Sequence, residues 1–276
     1  MKEIKTLCGM ALFLASSQIS VAGNIYLTGH DLDFHCSGGA QCNALGSAIN
    51  FVRLGSLDPT APILFVDSGT ELAAAAGQAA TKARDTIDPA ATGIKFTTVT
   101  PTAFSASTFS LSGFSAIAFA SASTCGGCDL SPADIAAINT RTSDIQGFFN
   151  GGGGLLYLAG AQDRSAYYSS VPIPSTAVAV SPPFTLTAAG QAAPFGLIEG
   201  SGSASDDNCC ATHNSFSLPG AGSPLIVLET DSAGFAETLA GGSLTITTGG
   251  FGGGIPEPAT YLLMAGPLTL FALFRA

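Results

Sequence analysis

The sequence predicts a three-layer α/β fold in which helices cover both faces of a mostly parallel sheet. Short continuous apolar runs, as at residues 63–66, are typical of strands that are buried on both faces. Helical segments alternate with these runs, and such alternation is typical of a doubly wound sheet. Roughly 230 residues lie between two distinctive termini, which is enough for one such domain.

The first element is an N-terminal export signal. Lys2 and Lys5 precede an apolar core at residues 7–15, and Ser20-Val21-Ala22 offers the small residues that signal peptidase requires. We therefore expect residues 1–22 to be a signal peptide and residues 23–248 to form the folded domain.

Strands and helices alternate through the first half of the domain. The segments that predict strands are 24–28, 63–67, 95–100, 114–120 and 155–159, and those that predict helices are 44–54 and 71–84. A further helix begins at Ser131, which is followed by Pro132 and, three positions on, by Asp134. We expect it to run to about Phe149 and to end at the glycines 151–154.

The second half is less regular because prolines and polar stretches interrupt it. We expect edge strands or an insertion that covers the carboxyl ends of the sheet. Residues 225–229 predict a buried strand, and residues 244–248 predict a last one. Ligand sites of doubly wound folds lie in the loops at the carboxyl ends of the strands.

One block of the chain has a characteristic order: the apolar strand 114–120, the helix from Ser131, the glycines 151–154 and then Leu155-Leu156-Tyr157-Leu158-Ala159. Over residues 24–162 this order resembles the ThuA-like branch of the class I glutamine amidotransferase-like fold. The resemblance implies a flavodoxin-like sheet. It also implies a nucleophilic cysteine at the turn after the glycine-led strand. Leu158 occupies that position and Ala161 the histidine-like one, so we expect no glutaminase activity and lean against an enzyme.

The composition excludes one class of partner. Charged residues make up 10% of the chain, the net charge is −10 and the pI is about 4.4. Phosphate backbones repel an acidic surface, so we expect no nucleic acid partner.

Five polar residues are candidates for a ligand or metal site: His30, Asp31, Asp33, His35 and His213. If residues 29–35 are extended, alternate spacing places Asp31, Asp33 and His35 on one side. Imidazoles and carboxylates could bind a divalent metal, which is the one cofactor that these residues suggest, or a sugar. The alternative is a loop-ordering cluster in which the aspartates accept hydrogen bonds from backbone amides.

The cysteines form three local pairs once Cys8 leaves with the signal peptide: Cys36 and Cys42, Cys125 and Cys128, Cys209 and Cys210. An even number of cysteines in an exported chain predicts disulfides. We expect one bridge within the first pair and at least one between the second and third pairs, because adjacent cysteines rarely bond to each other. The alternative is a zinc site formed by the second pair with Cys210 and His213.

The C-terminal segment has three parts. Residues 249–254 predict a flexible linker, Pro256-Glu257-Pro258 follows, and an apolar run at 259–274 precedes Arg275. This arrangement resembles the PEP-CTERM sorting signal, which implies an exosortase as partner and residues 255–276 as a sorting and membrane-anchor segment with a hydrophobic helix. The run is shorter than the about 20 residues of a permanent span, and it contains Pro267.

These observations predict an exported cell-envelope or extracellular-matrix protein. Signal peptidase, exosortase, the membrane and a polysaccharide are its expected partners, and a catalytically degenerate domain binds a glycan or has a structural role. The alternative is an extracytoplasmic, metal-dependent hydrolase or isomerase for a carbohydrate-like substrate. In that case His30, Asp31, Asp33 and His35 would be metal ligands or the acid and base. A pocket that gathers His30 and His213 would favour the alternative.

Overall fold

A mixed sheet of ten strands is the framework of the described residues. The computed structural model describes residues 22–35, 40–68, 95–122, 130–198 and 212–242. The parallel strands are β1 (Ile25–Thr28), β2 (Ile63–Val66), β3 (Phe96–Val99), β4 (Ala116–Phe119) and β5 (Gly154–Tyr157). Their order across the sheet is β3-β2-β4-β5-β1. The expectation of an α/β fold with a mostly parallel central sheet is thus confirmed.

The second half of the chain extends this sheet with antiparallel strands. They are β6 (Ala177–Val178), β7 (Phe184–Leu186), β8 (Ser215–Phe216), β9 (Leu225–Asp231) and β10 (Ala236–Gly241). β10 lies against β1, with Thr28 opposite Thr238, and β9 pairs with the other edge of β10. β7 pairs with β9, while β8 pairs with β10 at Ala236 and with β6.

Seven α-helices and two short 3-10 turns are present in the described ranges. The helices are α1 (Leu32–His35), α2 (Ala40–Leu54), α3 (Pro101–Ser105), α4 (Pro132–Asn139), α5 (Thr142–Asn150), α6 (Arg164–Tyr167) and α7 (Ala188–Gln191). The 3-10 turns are Ala161–Asp163 and Tyr168–Ser170. Within these ranges no helix combines the length and the apolar composition that crossing a bilayer requires.

The core is built from the strands that the apolar runs predict. Every residue of β1, β2, β4 and β5 is buried, as expected for strands covered on both faces. Phe195 packs into this core from the second half of the chain, with its ring 4.8 Å from that of Phe51 and 6.2 Å from that of Tyr26. The irregular region after residue 162 therefore belongs to the same hydrophobic core.

The prediction of one helix from Ser131 to about Phe149 is wrong, because the segment forms two helices, α4 and α5. Its start is confirmed: Ser131 and Asp134 form a reciprocal capping box, with Pro132 in the first turn. The break falls at Thr140 and Arg141, whose guanidinium donates hydrogen bonds to the carbonyls of Phe104 and Phe109. This tertiary contact outweighs the helical spacing of the sequence.

The other predicted elements have different outcomes. The strands at 24–28, 63–67, 95–100, 114–120, 155–159 and 225–229 and the helix at 44–54 are confirmed within one to four residues at their ends. The predicted end of a helix at the glycines 151–154 is confirmed, because α5 ends at Asn150. Gly152 adopts a left-handed φ of 93°, a conformation that favours glycine. The helix at 71–84 and the strand at 244–248 lie outside the described residues.

Candidate functional site

The candidate site lies at the carboxyl end of β1, where the chain enters α1. Residues 212–214 run beside it: Thr212 forms an isolated antiparallel bridge with His30, and the amide of His213 donates to the carbonyl of Gly29 at 2.8 Å. A Cβ atom at Gly29 would lie 1.7 Å from the carbonyl oxygen of Asn214, so only glycine permits this approach. The close approach brings His30 and His213 into one region.

Residues 29–35 are not extended throughout, so the condition for Asp31, Asp33 and His35 to share one side is not met. Residues 32–35 form the short helix α1, in which the amides of Phe34 and His35 donate to the carbonyl of Asp31. Helical geometry sends neighbouring side chains in different directions. The five candidate residues therefore form three separate groups rather than one.

The first group joins His30 to two glutamates that the sequence analysis did not select. Nε2 of His30 lies 2.9 Å from Oε2 of Glu229 and 2.9 Å from Oε2 of Glu237. All three side chains are buried, and each offers a ligand atom within 4.8 Å of the others. These three residues could hold a metal ion. We call them the His30 cluster.

The pairing of β9 with β10 is irregular at the two glutamates. Ala236 pairs with Thr230, whereas Thr238 pairs with Glu229, so Glu237 is an extra residue on β10. The next pair, Leu239 with Val227, leaves an extra residue on β9. Such bulges re-aim side chains and are frequent next to functional sites.

The charges of the His30 cluster determine its protonation. Burial lowers the pKa of His30, but the charges of Glu237 and Glu229 outweigh it and hold that pKa well above the usual value. Burial raises the pKa of Glu229 to about 7, although the attraction of His30 opposes this shift. Burial also raises the pKa of Glu237, but His30 and a hydrogen bond from Thr238 leave it below the usual value. A protonated His30 beside an ionised Glu237 is therefore the favoured state.

The second group is centred on Asp31, which is fully buried. Its Oδ2 lies 3.0 Å from Nε2 of His213, and its Oδ1 lies 3.5 Å from Nε2 of His35. The histidines are more accessible, with 14% of the His213 side chain and 29% of the His35 side chain exposed. A buried carboxylate that orients a partly exposed imidazole is an arrangement suited to acid and base chemistry.

The third group is Asp33, which is bound by Ser121. Its carboxylate accepts hydrogen bonds from the amide of Ser121 at 2.8 Å and from the hydroxyl of Ser121 at 2.6 Å. Burial raises the pKa of Asp33 to about 6, and the Ser121 hydrogen bonds partly oppose this shift. Asp33 thus matches the loop-ordering alternative, since it ties α1 to the end of β4.

A sharp elbow follows β5, close to the second group. Leu158 is fully buried there, and three positions later Ala161 adopts a left-handed φ of 49°. This conformation is uncommon for a residue other than glycine. The amides of Gly160 and Ala161 donate to Oδ1 of Asn214, at 2.9 and 3.3 Å.

A cavity of about 270 Å³ opens beside this elbow. Its lining residues are Ala161, Gln162, Arg164, Val180, Thr212 and His213. The cavity lies at the carboxyl ends of β5 and β1, the usual place for a ligand in such a sheet. His213 therefore lines the cavity, whereas the His30 cluster lies behind Thr212 and does not belong to the lining.

A larger groove of about 730 Å³ lies at the opposite end of the sheet. Phe114, just before β4, and Gly151, Gly152 and Gly153, just before β5, are among its lining residues. Ligands of parallel sheets bind at the carboxyl ends of the strands, and this groove is at the amino ends. We therefore assign the candidate site to the smaller cavity.

Several predicted residues cannot be placed. Cys36, Cys125, Cys128, Cys209 and Cys210 lie outside the described residues, as does the side chain of Cys42. The sorting residues Pro256, Glu257, Pro258 and Arg275 also lie outside them. The disulfides, the cysteine zinc site and the sorting signal remain predictions.

Four residues of the site are not singled out by any pattern in the sequence that we used: Glu229, Glu237, Thr212 and Asn214. Glu229 offered one signal, because it is a charged residue within a run that predicts a buried strand. Its separation of 199 residues from His30 hid the pairing.

The arrangement can therefore bind a small polar ligand in the cavity and a cation behind it. No protein-family model, curated protein or solved structure matches this chain.

Proposed function

We propose that the protein is exported to the cell envelope and that its α/β domain binds a small acidic sugar without converting it. Ala161 carries this proposal, because an unreactive residue occupies the strained elbow beside the cavity. Enzymes that expose a nucleophile at a strand-to-helix elbow place the reactive side chain at the strained position. Here that position is Ala161 and not Leu158, to which the resemblance assigned the nucleophile.

The surroundings of the elbow support a binding role. The methyl group of Ala161 and the buried side chain of Leu158 carry no nucleophilic atom. Acyl-transfer enzymes leave backbone amides open to stabilise an oxyanion, but Asn214 accepts from the amides of Gly160 and Ala161. The elbow therefore has the backbone shape of a catalytic elbow, but it offers neither a nucleophile nor open backbone amides.

The proposal includes a ThuA-like, flavodoxin-like origin with helices on both faces of the sheet. The flavodoxin order is 2-1-3-4-5. If β2 is counted as the first strand and β1 as the fifth, the order β3-β2-β4-β5-β1 becomes 2-1-3-4-5. The arrangement is therefore that of flavodoxin, except that the fifth position is occupied by the first strand of the chain. This correspondence supports the resemblance that the sequence suggests.

The lining of the cavity favours an acidic sugar as the ligand. Gln162, Thr212 and His213 offer donors and acceptors for hydroxyl groups, and Arg164 supplies a cation for a carboxylate. A cation at a cavity is notable in a chain with a net charge of −10. We infer a uronic acid unit of a polysaccharide as the ligand class.

Ligand-observed NMR with glucuronic and galacturonic acid tests the binding role, with glucose and galactose as neutral comparisons. We expect the acids to bind more tightly, and R164A to weaken their binding at least about tenfold because it removes a charge-assisted hydrogen bond. K95A is the matched control, since Lys95 is an exposed cation next to β3, at the far edge of the sheet. Equal binding by R164A and the wild type would refute the assignment.

The destination rests on the two terminal segments. Lys2, Lys5 and Ala22 support export, and the Pro256-Glu257-Pro258 motif supports sorting by an exosortase. In a host that carries an exosortase, E257A should accumulate as an unprocessed chain in the membrane fraction. T260A, just beyond the tripeptide, should be processed normally, and normal processing of E257A would contradict the proposal.

The Asp31 and His213 pair favours a second candidate, a hydrolase or isomerase for the same sugar class. His213 lines the cavity and is oriented by a buried carboxylate, as a general base would be. In this case the bound sugar would be consumed over time, with or without added divalent metal, and H213N would stop its consumption. Binding without any change in the sugar spectrum would exclude this candidate for the sugars tested.

A further inference from the structure

We propose that the His30 cluster binds one divalent transition metal, with Zn²⁺ as the best fit, and that this ion fastens β9 and β10 to the end of β1. His30 follows β1, Glu229 lies on β9, and Glu237 lies on β10. One ion bound to all three would cross-link the parallel and antiparallel parts of the sheet. This inference is independent of the proposed sugar binding.

The donor set selects the metal class. One imidazole nitrogen and two carboxylates match the ligands of Zn²⁺ and related transition ions, whereas Mg²⁺ and Ca²⁺ prefer oxygen ligands alone. The three ligand atoms already lie within 4.8 Å of one another.

The two buried glutamates of the His30 cluster favour the binding of a cation. Glu229 and Glu237 are both fully buried, and within the described ranges His30 is the one basic side chain that forms an ion pair with either of them. Burying carboxylates is costly unless a positive charge compensates them. When the histidine is neutral, as a metal ligand must be, a divalent ion supplies that charge.

One oxygen of the cluster points independently to a missing ligand. Oε1 of Glu229 is buried and has no hydrogen-bond partner among the described residues. Buried polar atoms in folded proteins are nearly always paired, so an orphan of this kind indicates an ion or a water. A metal bound by Glu229 would satisfy it.

The surroundings of the cluster resemble the outer shell of a metal site. Nδ1 of His30 lies 2.5 Å from the hydroxyl of Thr212, which fixes the ring with Nε2 toward the glutamates. Oε1 of Glu237 accepts from the amide of Gly29 at 2.8 Å. Ligating histidines almost always use their second nitrogen in this way, and ligating carboxylates are held by hydrogen bonds in turn.

The ion would have a structural role. None of the three ligands lines the cavity, which is bounded by Thr212 and His213 on this side. Hydrogen exchange should therefore show slower exchange of the β9 and β10 amides when zinc is present. The amides of β3, at the far edge of the sheet, should not change.

Zinc titration of the metal-free, full-length protein by calorimetry tests the site. We expect one ion per chain. We expect E229Q and E237Q each to weaken its binding at least about tenfold, because each replaces an anionic ligand by a neutral amide of the same size. T212V, which removes the partner of Nδ1, should weaken it about tenfold or more. D231N is the matched control, since Asp231 is a buried carboxylate at the end of β9 that accepts its hydrogen bonds from the Ser215 hydroxyl and from the amides of Ser181, Ala233 and Phe235, and from no residue of the cluster.

Cobalt substitution keeps the test decisive if a glutamine variant does not fold. Co²⁺ held by nitrogen and oxygen ligands has visible d–d bands, whereas cysteine ligands add an intense sulfur-to-metal band. A spectrum of the first kind in the wild type supports the site. The proposal is overturned by a sulfur band, by the absence of zinc binding, or by folded E229Q and E237Q proteins that bind zinc as the wild type does.

Discussion

Replacing Asp33 by asparagine should change how the stability of the protein depends on pH. The side chain is 3% exposed and accepts two hydrogen bonds from Ser121. Asparagine has the same shape, and its Oδ1 can still accept from the amide of Ser121. Its NH₂ group can donate to the Ser121 hydroxyl if that hydroxyl rotates. D33N therefore removes the titration while it keeps most of the contact.

The direction and size of the change follow from the raised pKa. Burial raises the pKa of Asp33 from 3.8 to about 6, so folding favours its protonated form. The resulting stabilisation is fully present below the lower pKa and is lost as the pH rises through the higher one. The shift corresponds to about 3 kcal/mol between roughly pH 4 and pH 7. Relative to the wild type, D33N should therefore gain about this much stability as the pH rises.

Urea unfolding of both proteins at several pH values between about 4 and 7 measures this difference. D144N is the matched control, because the Asp144 side chain is 57% exposed, although its ion-pair partner Arg141 is buried. Solvent screens an exposed carboxylate of this kind, so its pair contributes about 0–1 kcal/mol. A difference between D33N and the wild type that is constant with pH, or that falls as the pH rises, would contradict the raised pKa of Asp33.

Three further changes test the fold by urea unfolding. F195A should cost about 3–5 kcal/mol, because it leaves a cavity against Phe51, and a loss under about 1 kcal/mol would contradict this packing. S131A should cost about 1 kcal/mol through the lost capping box with Asp134, whereas no loss would show that the cap is not stabilising. A161G should stabilise the protein by up to about 1 kcal/mol, because it relieves the left-handed backbone, and destabilisation would contradict the strained elbow.

Local sequence patterns were sufficient for the parallel half of the sheet. Strands such as β2 and β4 are buried on both faces, so each is a short, continuous run of apolar residues. Such a run is too short for a typical helix, and the sequence therefore indicates a strand. β10 was missed for the opposite reason. It contains Glu237 and Thr238, which are buried but polar, and no pattern of hydrophobic residues marks such a strand.

The candidate site was predicted only in part. His30 and Asp31 were selected because imidazoles and carboxylates cluster after the first strand, and His213 because it lies in a candidate loop. The structure brings all three to one region. Their actual partners could not be predicted, because Glu229 lies 199 residues from His30 in the sequence and the pairing of β10 with β1 brings the two regions together. A local sequence pattern carries no information on such a long-range register.

We propose that the chain is exported and that both terminal segments are removed from the mature protein. Mass spectrometry of both ends of the mature protein, purified from its native envelope, tests it most directly. We predict an N-terminus at Gly23 and a new C-terminus near Pro256 to Pro258. A mature protein that keeps Met1, or that ends in an intact Arg275-Ala276, would contradict the account.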